Sequence, residues 1–171
     1  YKRQEDKHTS GGEARNILEE FKACAQSDVK GVLCGVVSGR FAEGADFPRR
    51  ELEAIFLVGV PFEKPTTKTN LYIEYYEKLY GKDKERYYAY ILPALKRASQ
   101  ALGRALRSKH DKAIFVLGDY RYKGYMELLP DYAQKRIRHV KTVEQIIAEV
   151  KKIRVYVAVC PKTLRDIIKV R

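Results

Sequence analysis

Two arginines three positions apart, Arg104 and Arg107, are the residues of this sequence best suited to bind a phosphate. A planar guanidinium matches phosphate oxygens in a bidentate geometry, and two neighbouring cations on one helix are normally compensated by an anion. At about 100° per residue, Gln100 and both arginines form a narrow stripe beside Gly103, opposite the apolar face of a predicted helix. The stripe indicates either an anion site or an ordinary solvated basic face.

A second polar segment, residues 38–47, follows an apolar run that we predict to be a buried strand. In open α/β sheets, ligands bind where loops leave the carboxyl ends of strands. Gly39 and Gly44 allow the backbone to turn sharply or to approach a ligand closely. Arg40 could meet a phosphate, and Asp46 could accept a hydrogen bond from a hydroxyl or an amide. The alternative is a solvated loop with charges of both signs.

Three short apolar runs predict the sheet that positions both segments. They span residues 31–37, 54–60 and 113–118, and each is too short for a confident helix. We expect three strands covered on both faces, as in a parallel sheet.

Helical patterns lie before and between these runs. Residues 10–13 have the spacing of a capping box ahead of an amphipathic stretch. A helix over about 68–80 is expected to end at Gly81, and a longer one over about 84–108 to bend at Pro93. Strands interleaved with helices predict an α/β layered fold.

The chain beyond residue 140 is harder to interpret. Residues 142–145 form a second capping box ahead of apolar residues at helical spacing, whereas residues 153–160 fit a strand or a continuing helix equally well. We treat residues 140–171 as a helical tail without an assigned role. Because the sequence contains no repeat or low-complexity linker, residues 1–171 are expected to form one domain.

Composition limits the class of protein. At 45% hydrophobic and 11% aromatic residues, the chain is not wholly disordered, and it contains neither a membrane-spanning run nor a secretory leader. Cys24, Cys34 and Cys160 lack the spacing of zinc or iron–sulfur ligands, which favours small buried side chains in a reducing, intracellular compartment. The start at Tyr1 suggests a piece of a longer protein.

Charge is distributed unevenly along the sequence. The net charge is +12, with nine Lys and Arg against ten Asp and Glu in residues 1–60, and 25 against 12 in residues 61–171. Residues 72–90 add seven tyrosines among lysines and arginines. A basic surface with aromatic rings is typical of nucleic-acid binding. Plain solubility and helix–helix packing of the tyrosines are the alternatives.

The two polar segments resemble known helicase motifs. Residues 38–47 resemble motif V, and the sequence Gln-Ala-Leu-Gly-Arg-Ala-Leu-Arg at 100–107 resembles motif VI of superfamily 2 helicases. The flanking sequences, Val58–Phe62 and Ser108–Tyr122, narrow the resemblance to the XPD family, with the DinG helicases next. It covers about residues 5–135, in order and at sensible separations.

The resemblance implies an α/β RecA-like domain of the P-loop NTPase type, with a predominantly parallel sheet between helices. Such a domain is the second motor domain of an ATP-dependent DNA helicase that moves 5′ to 3′ on single strands. In that family ATP binds between two such domains. The partners implied are single-stranded DNA and the first motor domain of the same polypeptide. The localisation implied is intracellular, and nuclear in a eukaryote.

The resemblance also implies roles for individual residues. Arg104 and Arg107 would be catalytic, stabilising charge at the γ-phosphate. The expected nucleotide-binding residues are Gln100, Gly103, Gly44 and Asp46. The expected DNA-binding residues are Ser38, Gly39 and Arg40.

The sequence lacks several motifs that a complete helicase of the implied family would contain. It contains no phosphate-binding loop, no Asp-Glu-Ala-His-like box and no four-cysteine module. We therefore expect ATP and Mg²⁺ to be held mostly by the first motor domain, and an iron–sulfur cluster to belong to the parent protein rather than to this chain. The chain alone is predicted to be inactive, and no metal site is predicted on it. The alternative function is a non-catalytic nucleic-acid-binding module with a helicase-like fold.

Overall fold

The computed structural model describes residues 2–4, 9–43, 45–47, 51–106, 111–152 and 156–159. The strands are β1 (Lys2–Gln4), β2 (Val32–Cys34), β3 (Ala54–Leu57), β4 (Ile114–Leu117), β5 (Ile137–His139) and β6 (Tyr156–Val159). The helices are α1 (Gly11–Ala23), α2 (Arg40–Glu43), α3 (Thr67–Tyr80), α4 (Leu92–Gly103), α5 (Asp131–Gln134) and α6 (Val143–Lys152). Segments of 3₁₀-helix cover Cys24–Gln26 and Tyr120–Leu128, and a π-helical turn covers Tyr87–Ile91.

Every strand pair in the described residues is parallel. Four strands form one sheet in the order β3-β4-β6-β5, and β1 pairs with β2 in a separate two-stranded sheet. Parallel strands require crossover connections, and helices provide them here. The prediction of helices combined with a parallel sheet is confirmed at this level.

Strand β4 has apolar side chains on both faces, and both faces are covered. Phe115 and Leu117 join the core cluster that contains Leu95 of α4, while Val116 packs with Val140 and Ile146, the latter on α6. The alternation follows from the strand's two-residue period, which sends successive side chains to opposite faces. The expectation of a strand buried on both faces is confirmed for the run at 113–118.

The same expectation is wrong for the runs at 31–37 and 54–60. Val32 on β2 and Phe56 on β3 are each more than half exposed. Strand β3 lies at an edge of the four-stranded sheet, and β2 pairs with β1 rather than with that sheet among the described strands. An edge strand is covered less completely than a central one, so an apolar run alone does not establish burial on both faces.

The ends of α1 and α3 follow local rules. The Ser10 hydroxyl accepts a hydrogen bond from the Glu13 N–H at 3.2 Å, as the capping box predicts. Thr66 caps α3 in the same way, since its hydroxyl accepts from the Thr69 N–H at 3.2 Å. Helix α3 ends at Gly81, whose φ of 84° lies in the left-handed region that favours glycine.

The helix predicted over 84–108 is interrupted and shorter. The π-helical turn leads directly into α4, and the Leu92 N–H donates to the Tyr87 carbonyl five residues earlier. Pro93 has no N–H, and its ring crowds the carbonyl four residues before it, which a wider turn relieves. The irregularity therefore precedes Pro93, and α4 ends at Gly103. Residues 107–110 lie outside the described residues.

The tail is not helical throughout, which corrects the expectation for residues 140–171. Helix α6 begins as predicted, with the Gln145 N–H donating to the Thr142 hydroxyl at 3.3 Å. Residues Tyr156–Val159 then form β6, between β4 and β5 in the sheet. Their β-branched and aromatic composition suits a central strand. Residues 160–171, including Cys160, lie outside the described residues.

Candidate functional site

Arg104 joins the two polar segments that the sequence singled out. It is the residue after α4, and it is only partly exposed. Its Nη1 donates a hydrogen bond of 3.3 Å to the carbonyl of Ala45, a residue 59 positions earlier in the chain. The end of α4, in the sequence that resembles motif VI, and the end of the segment that resembles motif V are therefore in direct contact.

The loop at Ala45–Phe47 is anchored on both sides of its acidic residue. Ala45 and Phe47 are buried, and the Phe47 ring meets the Phe21 ring edge-on at 5.9 Å. The Lys22 ammonium lies 5.5 Å from the centre of the Phe47 ring. Asp46 is exposed between the two buried residues. The packing holds the Asp46 backbone next to the Arg104 contact.

Helix α4 sets the positions of the other described residues in the sequence that resembles motif VI. Gln100 is exposed one turn before Arg104, and Gly103 is the last residue of α4. A Cβ at Gly103 would meet nothing within 4 Å, so the space beside it is open. Gly44 and Arg107 lie outside the described residues, and their predicted roles remain predictions.

Residues 38–40 begin the segment that resembles motif V, and they lie away from Arg104, next to the residues that precede α1. The Gly39 N–H donates to the Val36 carbonyl at 2.8 Å, which closes a turn in which Ser38 is exposed. Arg40 begins α2, and its Nη1 donates to the Thr9 carbonyl at 2.6 Å, just before α1. The short helix α2 separates these residues from the Arg104 contact, so the segment has two ends with different neighbours.

A cluster that the sequence analysis left without a role lies where β3 and β4 end. Asp119 is 9% exposed and accepts hydrogen bonds from Nε and Nη2 of Arg121 at 2.6–3.1 Å. The Arg121 guanidinium lies 5.2 Å from the centre of the Phe62 ring. The hydroxyl of the buried Tyr122 donates to the Gly59 carbonyl at 3.1 Å. The cluster ties the carboxyl ends of the two strands together.

The electrostatics of this cluster follow from burial and pairing. Burial opposes ionisation of Asp119, but hydrogen bonds from the Arg121 side chain and backbone outweigh it and lower the pKa of the carboxyl. Burial raises the pKa of the Tyr122 hydroxyl. An Asp directly after a predicted buried strand, with an Arg two residues later, was the signal available in the sequence.

The tyrosines of residues 72–90 divide into two groups. Tyr76, Tyr80 and Tyr88 contact one another, with ring centres 4.5–6.0 Å apart, and Tyr90 stacks on Phe62 at 4.7 Å. Packing between helices explains this group. Tyr87 meets Tyr88 edge-on at 5.1 Å. On α3, the rings of Tyr72 and Tyr75 are about half exposed, as is that of Tyr80.

The described residues show neither a metal-binding cluster nor a membrane-spanning helix. Within them, no group of three or more His, Cys, Asp or Glu could hold a metal ion. Cys24 and Cys34 are free thiols. No helix in the described ranges combines the length and the apolar character needed to cross a bilayer.

Comparison with known families determines where this chain belongs. The sequence profile of the helicase C-terminal domain matches residues 2–136, which include both segments joined by Arg104. The chain belongs to this family. As a helicase C-terminal domain, it carries its motif V and motif VI resemblances inside the matched region.

Curated relatives of this helicase C-terminal domain include XPD-like proteins. It is 29% identical over 133 residues to the general transcription and DNA repair factor IIH helicase subunit XPD of Schizosaccharomyces pombe, which covers 77% of the chain and 16% of the relative. It is 29% identical over 148 residues to the ATP-dependent DNA helicase CHL1 of Eremothecium gossypii, covering 78% and 18%. It is 33% identical over 125 residues to the 3′-5′ exonuclease DinG of Bacillus subtilis, covering 71% and 13%.

These matches confirm the resemblance to XPD-like superfamily 2 helicases. The chain spans less than a fifth of the length of each of these three relatives.

Proposed function

We propose that this chain is the RecA-like second motor domain of an ATP-dependent DNA helicase that moves 5′ to 3′ on single strands. Family membership supports the helicase assignment, and the parallel sheet with α4 and α6 on its two faces fits a RecA-like fold. The whole of residues 1–171 acts as one domain in this proposal. Its partners are single-stranded DNA and the first motor domain of the parent protein.

The observation that carries the proposal is the contact between Arg104 and Ala45. A hydrogen bond at Nη1 restricts the plane of the guanidinium before a nucleotide arrives. A cation held in place stabilises charge that develops on a transferring phosphoryl group without reorganising during the reaction. The same bond links Arg104, which we propose binds the γ-phosphate, to the loop that carries Asp46. Closure of the two motor domains around ATP would therefore change the position of the segment that resembles motif V.

The remaining site residues take roles from their positions. Gln100 and Gly103 flank Arg104 on the nucleotide side, together with Gly44 and Asp46, and Arg107 acts beside Arg104. Ser38, Gly39 and Arg40, at the other end of α2, contact the DNA backbone. ATP would then shift the two motor domains towards a closed state that grips the strand differently.

The groups that hold Mg²⁺ are assigned to the first motor domain. The described residues of this chain offer no metal-binding group, whereas a guanidinium suits phosphate oxygens. Bound Mg²⁺ would neutralise charge on the β- and γ-phosphates. An iron–sulfur cluster is likewise assigned to another part of the parent. This chain contributes cationic and backbone groups, and alone it is expected to be inactive.

The test is the substitution Arg104→Ala in the helicase that contains this chain. By analogy with arginine fingers, kcat for ATP hydrolysis is expected to fall by about 10³-fold, while the Kd for single-stranded DNA without nucleotide changes less than about twofold. Arg104→Lys keeps the charge but loses the planar guanidinium that binds phosphate in a bidentate geometry. It is expected to recover little of the rate of ATP hydrolysis. Lys96→Ala, an exposed cation on the same helix, is the matched control and should leave kcat unchanged.

An unchanged ATPase rate in Arg104→Ala overturns the nucleotide role. DNA binding that falls steeply with salt, together with no ATP hydrolysis by the intact parent, would support the alternative of a non-catalytic nucleic-acid-binding module.

A further inference from the structure

Helix α3 presents an apolar and aromatic surface that the rest of the described chain leaves uncovered. Four of its side chains, Leu71, Tyr72, Tyr75 and Leu79, are 48–59% exposed. At about 100° per residue they lie within one side of the helix, together with Lys68 and Lys78. Contiguous exposed apolar side chains rimmed by charge mark interaction sites. We call these residues the α3 face: Lys68, Leu71, Tyr72, Tyr75, Lys78 and Leu79.

The charges on the α3 face are cationic. Lys68 and Lys78 are exposed, and the Lys68 ammonium lies 5.9 Å from the centre of the Tyr72 ring. Of the acidic residues on α3, Glu77 lies on the opposite side and contacts Lys82 at 3.8 Å, and Glu74 borders the face one turn before Lys78. Before the helix, Glu63 is close enough to interact with Lys68 but is ion-paired with Arg97 at 2.6 Å. A partner of this face is therefore expected to be anionic.

One of the exposed rings, that of Tyr75, rests on other packed rings. Tyr75 meets Tyr76 edge-on at 5.5 Å, and Tyr76 is stacked with Tyr80 and Tyr88 at about 6 Å. A ring that rests on packed rings loses little freedom when a flat ligand stacks on it. Lys68, Leu71, Tyr72 and Tyr75 line a shallow, open depression on the surface of α3. The rings of Tyr72 and Tyr75 are exposed there and accessible to a planar base.

We propose that the α3 face binds single-stranded nucleic acid, with bases stacked on Tyr72 and Tyr75 and with Lys68 and Lys78 at the phosphates. The two tyrosines are three residues apart, about 4.5 Å along the helix axis and about 60° around it, so each ring can stack with a different base. The two lysines are about 15 Å apart along the same axis, the length of about four stacked nucleotides. Aromatic platforms and cations together are the means by which proteins hold single strands without reading their sequence.

This inference deepens the proposed function, since it adds a DNA contact to those assigned to Ser38–Arg40. It needs neither Arg104 nor a nucleotide. The surface predicts that the chain holds a strand in the absence of ATP.

The test measures binding of a fluorescein-labelled 12-residue oligothymidylate to the full chain by anisotropy, at low salt and without ATP. The double substitution Tyr72→Ala and Tyr75→Ala is expected to weaken binding at least tenfold, because each stacked base contributes roughly that factor. The double substitution to Phe keeps both rings and should bind within about twofold of the original chain. Lys68→Gln should reduce the salt slope, log Kd against log salt, by about 0.7.

Asn70→Ala is the matched control on the same helix, because Asn70 is exposed on the side of α3 opposite the α3 face. It removes neither a ring nor a cation, so binding of the oligonucleotide should change less than about twofold. The sequence contains no tryptophan, so intrinsic fluorescence reports on tyrosine, and its quenching by the oligonucleotide should be smaller in the double Ala variant. Circular dichroism checks that each variant keeps its helices.

Three results would overturn the inference. The first is unchanged affinity in the double Ala variant, and the second is a loss in Asn70→Ala as large as that in the tyrosine variant, which would show that the loss is not specific to the α3 face. The third is a loss in the Phe variant equal to that in the Ala variant. None of them affects the ATPase test of Arg104, so failure of this inference and failure of the proposed function are distinguishable.

Discussion

Helices α3 and α4 carry similar apolar patterns and use them in opposite ways. In α4 the apolar side chains Ala94, Leu95, Ala98 and Leu102 are fully buried against the main core. In α3 the four large side chains of the α3 face are about half exposed. Periodicity predicts that a helix has an apolar face, but not whether that face meets the protein's own sheet or another molecule.

The inward side of α3 explains the difference. Its one fully buried residue among those described is Thr69, whose hydroxyl donates to the Lys64 carbonyl at 3.3 Å. Tyr76 packs on other tyrosines instead of entering the core around β4. Helix α4 thus stabilises the fold, whereas α3 lies on its surface and offers its apolar side to a partner.

The largest effect expected from this comparison is in the core. Leu95→Ala should lower the free energy of unfolding by about 2–5 kcal/mol, because it leaves a cavity beside Leu102 and Phe115. Leu71→Ala, the same change on α3, should cost less than about 0.5 kcal/mol. Urea unfolding of both variants measures the difference. Equal losses would mean that the α3 face is buried in solution.

A smaller loss of stability is expected from a substitution of Asp119, the residue before the 3₁₀ segment Tyr120–Leu128 that packs beside α4. Asp119→Asn removes a carboxylate paired with Arg121, and should cost about 1–3 kcal/mol at pH 7. The pKa of Asp119 is lowered by folding, so its contribution is present above the ordinary carboxyl pKa and is lost as pH falls through the folded value. The gap between the original chain and the variant should shrink progressively below about pH 4. A gap that stays constant in urea unfolding down to pH 2 would contradict this account.

The smallest changes in stability are expected from substitutions of the glycines at the ends of α3 and α4. Gly81→Ala forces a side chain into positive φ after α3, and should destabilise by about 1 kcal/mol. Gly103→Ala places a methyl group in open space at the end of α4, and should stabilise by up to about 1 kcal/mol. Thermal unfolding of the two variants should move the midpoint in opposite directions. Shifts of the same sign would contradict either the positive φ of Gly81 or the open space beside Gly103.

Local rules made much of the fold predictable. The helix starts at Ser10 and Thr142, the end of α3 at Gly81 and the buried strand β4 follow from capping, glycine conformation and strand alternation. The exposure of β2 and β3 could not be read from their apolar runs, because it depends on which strands lie beside them. The same limit applied to residues 153–160, of which the described part, Tyr156–Val159, is a strand between β4 and β5.

The candidate site was predictable in part. The spacing of Gln100 and Arg104 placed them on one helix, and the structure adds that Arg104 reaches Ala45. No local rule connects residues 59 positions apart, so that contact was not predicted from the sequence. The pairing of Asp119 with Arg121 was missed, since two charged residues after a strand are common in solvated loops.

The place of β6 in the sheet affects the order in which the protein can be assembled. Among the described strands, β5 pairs with β6 alone, and β6 follows it in the chain. During synthesis the β5 segment has no ladder partner among the described strands until residue 159 has left the ribosome. Because non-local pairing delays folding and leaves strand edges open to aggregation, this sheet depends on β6 more than the well-capped helices before it suggest.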